Sequence, residues 1–115
     1  MLILTKVFLF NFLILTAVNA CAETDLSFMK KGTSYYDARK VLVDKGWKPV
    51  KNMNMNNSSL YAQEIYLQGL EEVVDCISME LDACTFRFTQ KNQVLDVKTI
   101  TRQLNLESFR NYKKR

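Results

Sequence analysis

Cys84-Thr85-Phe86-Arg87-Phe88-Thr89, then Gln90-Lys91-Asn92-Gln93, then Val94-Leu95-Asp96-Val97-Lys98-Thr99-Ile100-Thr101 is the stretch that decides the fold. Cys84, Phe86 and Phe88 alternate with Thr85, Arg87 and Thr89, the period of a half-buried strand. The polar quartet reads as a turn, and Leu95, Val97 and Thr99 line one face of the returning strand. An antiparallel hairpin with one apolar face needs a cover, and the sequence before it supplies one.

Working back from the hairpin, Leu70 to Leu81 is ambiguous. Leu70, Val73, Val74, Ile77 and Leu81 fit a helical stripe, whereas a strand would set Cys76 opposite Cys84 across a short hairpin. The strand is the reading adopted. Leu60 to Gln68 reads as a short helix, with Tyr61 and Ile65 on one side and Gly69 as its stop. Lys51 to Ser59 is polar and rich in Asn, and reads as a loop. Gly32-Thr33-Ser34 is a turn that opens a longer helix. Ser34 is its candidate N-cap, Asp37 suits its amino-terminal dipole, and Tyr35, Ala38, Val41 and Leu42 recur at helical spacing. Gly46 is the expected left-handed stop. Trp47 to Val50 reads as a short strand placed at an edge by Pro49. The expected class is α+β: an N-terminal helix packed on a small antiparallel sheet, with one disulfide.

The first residues address the chain. Lys6 precedes an apolar run, Val7 to Val18, and small residues follow at Ala20, Cys21 and Ala22. This is the order of a secretory signal, and the run is short for a membrane span. Two processing routes fit. Ala20-Cys21-Ala22 is an A-x-A site for cleavage before Glu23, and Val18-Asn19-Ala20-Cys21 resembles a bacterial lipobox, in which Cys21 would be acylated. An uncleaved amino-terminal anchor is the third reading. The chain has three cysteines, and either cleavage leaves Cys76 and Cys84 as a pair. A bridge closing so short a loop stabilises by ~2.5 kcal/mol on the chain-entropy model. The expected organisation is a signal at 1–22, a lead-in at 23–33, one domain at 34–101 and a basic tail at 102–115.

The net charge of +4 is unevenly distributed. No Lys or Arg falls between Asn52 and Phe86, while Glu64, Glu71, Glu72, Asp75, Glu80 and Asp82 all do. Arg102, Arg110, Lys113, Lys114 and Arg115 make the end of the chain basic. The plain reading is solvated surface charge, partly paired within the fold. Sharper readings are an acidic protein-binding face at Glu71, Glu72 and Asp75, and a basic tail drawn to anionic lipid. Export without a basic helix or an aromatic-and-basic strand motif argues against nucleic acid.

Chemistry finds little support. The chain contains no histidine, which excludes a Cys-His pair. It has neither C-x-x-C spacing nor a D-x-D-x-D-G loop, so no metal or other cofactor is expected. Two function classes remain. One is a non-catalytic protein-binding module of the bacterial envelope, acting as an inhibitor, an immunity factor or an assembly accessory toward an envelope protein. The other is a small enzyme using the acidic residues. The first is the reading adopted. The expected location is the periplasm, or the outer membrane if Cys21 carries lipid. Membrane contact is expected only with acylation or an uncleaved signal.

The segment Gly32-Thr33-Ser34-Tyr35-Tyr36-Asp37-Ala38-Arg39-Lys40-Val41-Leu42 leads to Gly46-Trp47-Lys48-Pro49-Val50. Later come Glu72-Val73, Cys76, Cys84-Thr85-Phe86-Arg87-Phe88 and Val97-Lys98-Thr99. This order resembles a group of small exported bacterial proteins of uncharacterised role. It departs from them in having no glycine between the two cysteines. More distantly, a Gly-x-Ser/Thr turn, a helix and a sheet is similar to β-lactamase inhibitory proteins and to small outer-membrane assembly lipoproteins. That likeness implies binding rather than catalysis.

Overall fold

The computed structural model describes residues 25–79 and 81–115 of the chain. The signal, the Cys21 lipidation site and both cleavage positions lie outside the described residues, as does Glu80. The elements run α1 (Tyr35–Asp44), β1 (Lys48–Pro49), a 3-10 turn (Met55–Asn57), α2 (Leu60–Leu67), β2 (Val73–Ile77), β3 (Ala83–Gln90), β4 (Gln93–Ile100) and β5 (Asn105–Lys113). Among the described residues, two helices and a five-stranded antiparallel sheet make an α+β fold. Among the described residues no helix is long and apolar enough to cross a membrane.

The hairpin forms in the expected register. Cys84 faces Thr99, Phe86 faces Val97 and Phe88 faces Leu95, and all six are buried. β3 is the hub of the sheet. One of its edges carries β4, and the other is shared by β2 near its start and β1 near its end. The segment 70–81 contains a strand, and Cys76 pairs directly with Cys84 and is bonded to it. A bonded pair of this kind suits an oxidising compartment.

Residues 102–115 are not a tail. β5 runs antiparallel to β4 from Asn105 to Lys113 and completes the sheet. Its sequence hides this because only Leu106 is fully buried; Ser108 to Asn111 are exposed on an edge strand. The domain therefore extends through Lys113.

The helices cover one face of the sheet. Tyr35, Ala38 and Leu42 from α1 join Tyr61, Ala62 and Ile65 from α2 in one core with Phe86, Phe88, Leu95 and Val97. The Tyr35 ring stacks on Phe86, with centroids 3.9 Å apart. Met29 of the lead-in is buried in the same core, with Leu26 and Phe28 packed against it. Ser34 stands at the N-cap of α1 but its side chain caps nothing. The Tyr35 N–H donates to the Leu104 carbonyl instead, so the turn before β5 satisfies one of the amides a cap serves. At the other end Gly46 takes φ +95°. The Trp47 N–H reaches the Leu42 carbonyl and the Gly46 N–H reaches that of Val43, the paired bonds of a Schellman stop. Ser59 caps α2 by accepting from the Ala62 N–H.

That stop turns Trp47 back into the core, where it is 2% exposed. Trp47→Ala should cost about 3–5 kcal/mol, the range for deleting a buried large aromatic. Chemical denaturation of the two proteins measures the difference.

Candidate functional site

The acidic residues expected to share a binding face do different work. Glu72 is 1% exposed and sits inside the protein. Burying an ionised carboxylate is costly unless it is paired and hydrogen-bonded. Here Arg39 of α1 supplies a fork, Nε to Oε2 at 2.6 Å and Nη2 to Oε1 at 3.2 Å, and the Tyr35 hydroxyl donates to Oε2. Burial, then the Glu72 charge beside it, pushes the Tyr35 hydroxyl far above the ordinary phenol range. The Glu72 hydrogen bond raises Arg39 against the opposing effect of its burial. Both Tyr35 and Glu72 are closed to solvent, and this triad ties α1 to the sheet. Glu72 is thereby removed from the candidate binding face.

Asp75 caps backbone. Its Oδ1 accepts from the Ser59 N–H at 3.0 Å and from its own neighbour, the Cys76 N–H, at 2.8 Å. Burial works to raise its pKa, and these amides outweigh that and hold it below the usual carboxylate range. Glu71 alone of the three is an exposed side chain without an assigned structural task. Asp75 also borders a groove of about 520 Å³ with Asn52, Met53, Asn57, Ser58 and Arg87. Asn52 anchors the groove's loop by donating to the Val73 and Val74 carbonyls.

Among the described residues no helix covers the sheet's other face, which carries a polar network. Arg87 grips Asp96 with Nε at 2.8 Å and Nη2 at 3.1 Å. Tyr112 donates to Asp96 at 2.9 Å, and Arg110 lies 3.8 Å away. Partial burial raises the Asp96 pKa, and the bonds from Arg87 and Tyr112 more than offset it, leaving it lowered.

Exposed apolar side chains cluster at the β2–β3 hairpin tip. Ile77 is 57% exposed, Met79 96% and Leu81 70%. Sequence reading treats these residues as strand positions and misses the feature. The signal available is that Ile77, Met79 and Leu81 alternate beyond the cysteine, past the point where helices can cover them. The tip is firmly held. The Cys76–Cys84 bond closes its base. The Leu81 carbonyl accepts from the Thr101 N–H at 2.6 Å, and Asp82 pairs with Arg102 at 3.5 Å. The Arg102 guanidinium in turn lies 4.3 Å over the Tyr61 ring. Leu81 and Asp82 adopt φ 55° and 54°, and Thr101 and Leu104 in the adjoining turn are also left-handed. L-residues rarely take this conformation, and a bulky one does so at a cost that the surrounding structure must hold in place.

Among the described residues no group of three His, Cys, Asp or Glu side chains could hold a metal ion. The chain matches no family model, no curated protein and no solved structure.

Two measurements test this site. Glu72→Ala leaves Arg39 and the Tyr35 hydroxyl without their partner and should cost about 3 kcal/mol, low in the range for a broken buried pair because Arg39 is partly exposed. Urea titration reads the loss. Asp96 has a lowered folded pKa, so its contribution is present above the unfolded value and is lost as pH falls through the folded one. Below about pH 4, the unfolded carboxyl value, the melting temperature of Asp96→Asn should fall less steeply than that of the native chain.

Proposed function

We propose that this protein is an exported, non-catalytic binding module of the bacterial envelope that presents the stapled β2–β3 tip to a partner protein. The observation carrying this reading is Met79, 96% exposed between two other exposed apolar residues on a loop tied at its base and its side. Exposed apolar side chains lose little mobility on binding when the backbone beneath them is already fixed, which lowers the entropic cost of association. Strained backbone gathers at the same place, and strain of that kind clusters at ligand-contacting segments. An inhibitor, an immunity factor or an assembly accessory all require such a surface, and the Cys76–Cys84 bond accords with export.

The alternative, a carboxylate-dependent enzyme, would need two acids converging on an open cleft. Glu72 is sealed by Tyr35 and Arg39, and Asp75 serves backbone amides. Partner attraction through the acidic segment is reduced for the same reason, and Asp82 is matched by Arg102. The contact expected at the tip is therefore chiefly apolar.

Met79→Glu places a charge on the most exposed apolar side chain. Its stability should match the native chain within about 0.5 kcal/mol, as for a surface substitution. A photo-reactive group at position 79 should cross-link one envelope protein, and Met79→Glu should bind that protein at least tenfold more weakly, the effect expected of a central apolar contact. Equal binding by native and Met79→Glu proteins would rule out the tip as the contact.

A further inference from the structure

We propose that the end of the sheet opposite the stapled tip is an electrostatic docking surface for an anionic phospholipid bilayer. Strand direction brings distant cations together there. β3 ends at Gln90, β4 begins at Gln93 and β5 ends at Lys113, so the β3–β4 turn and the end of β5 share one edge of the molecule. Lys48 of β1 pairs with Thr89, and Lys113 pairs with Gln93. The Lys114 N–H donates to the Asn92 carbonyl at 2.6 Å, and the Gln90 side chain donates to the Lys45 carbonyl at 2.9 Å. Lys45, Lys48, Lys91, Lys113, Lys114 and Arg115 are all exposed at this end. Gly46, Lys48, Thr89, Gln90, Lys91 and Lys114 line a shallow recess of about 400 Å³ between them. Among the described residues, Asp44 closing α1 and Asp25, which feels the Lys45 charge, belong to the same end and are outnumbered by these cations.

A second observation gives this surface its occupant. The described chain begins at the same end. The Lys45 ammonium lies 5.8 Å from the centre of the Phe28 ring, and Asp25 is close enough to interact with it. Cys21 precedes Asp25 by four positions, a reach of at most about 14 Å. A lipid on Cys21 would be tethered within that reach of Asp25. One acyl chain alone holds a protein only marginally, and a polybasic patch is the usual second contribution. Basic residues near an anionic leaflet contribute through the surface potential, without needing shaped pockets. The eight-residue strands hold the stapled tip roughly 26 Å from this surface, directed away from the bilayer. The docking surface does not depend on the identity of any protein partner.

The test uses protein cleaved before Glu23, so that neither an acyl chain nor the signal contributes. Co-sedimentation is measured with phosphatidylcholine vesicles and with vesicles that also contain phosphatidylglycerol. Binding should require phosphatidylglycerol and weaken as salt is raised. Combining Lys48→Gln, Lys91→Gln and Lys114→Gln should lower partitioning about a hundredfold at low salt. Combining Lys30→Gln, Lys31→Gln and Lys98→Gln removes the same charge elsewhere and should change it less than fivefold. Circular dichroism confirms that both variants are folded. Equal loss in the two variants would reduce the effect to net charge and overturn the proposal. So would equal binding to both vesicle types, or no binding to either.

Discussion

The structure depends on one buried carboxylate. Glu72 lies just before β2, and its side chain is closed off from water. A charge in that position must be met at once by good donors, and α1 offers them. Arg39 and Tyr35 lie one helical turn apart on α1, so both can reach the same carboxylate only if the helix is rotated with that face toward the sheet. That rotation seats the Tyr35 ring on Phe86 and sends Ala38 and Leu42 into the core. The backbone of Glu72 contributes too, since its carbonyl accepts from the Arg87 N–H of β3. Replacing the ion pair with apolar groups of the same shape is often neutral for stability. Its value here is geometric, because it fixes how the helix layer sits on the sheet.

Elements with one buried face were legible in the sequence. The β3–β4 hairpin, α1 with its Gly46 stop, α2 with Gly69 and the Cys76–Cys84 pair all follow from periodicity, stop signals or cysteine count. What escaped reading had no such signature. β5 is an edge strand whose exposed stretch, Ser108 to Asn111, gives no alternation; Leu104 and Leu106 are its buried anchors, and they sit in or beside a turn. Glu72 looks like one more acid in an acidic run. Its neighbours Leu70 and Val73 are buried, but sequence alone does not say that a carboxylate between them is buried as well.

The tip shows why a missing glycine matters. A tight turn between bonded cysteines is easily made with glycine, which accepts positive φ without cost. This chain places Leu81 and Asp82 in that conformation. The turn must then be held from outside, and the holding contacts come from Thr101 and Arg102 in the β4–β5 turn. β5 is thus required for the tip as well as for the sheet, because it draws that turn against the hairpin.

The result is a molecule with two chemically different ends. Antiparallel strands carry successive turns to opposite edges, so residues far apart in sequence collect by turn parity. The β2–β3 and β4–β5 turns meet at one edge and support an apolar tip. The β3–β4 turn, the start of β1 and the end of β5 meet at the other and concentrate lysine. Neither grouping is visible as a run in the sequence, where Lys48, Lys91 and Lys114 are separated by whole elements. A bilayer-facing cationic end would leave the tip free to meet a partner, since the rigid sheet between them keeps the two contacts from competing for the same space.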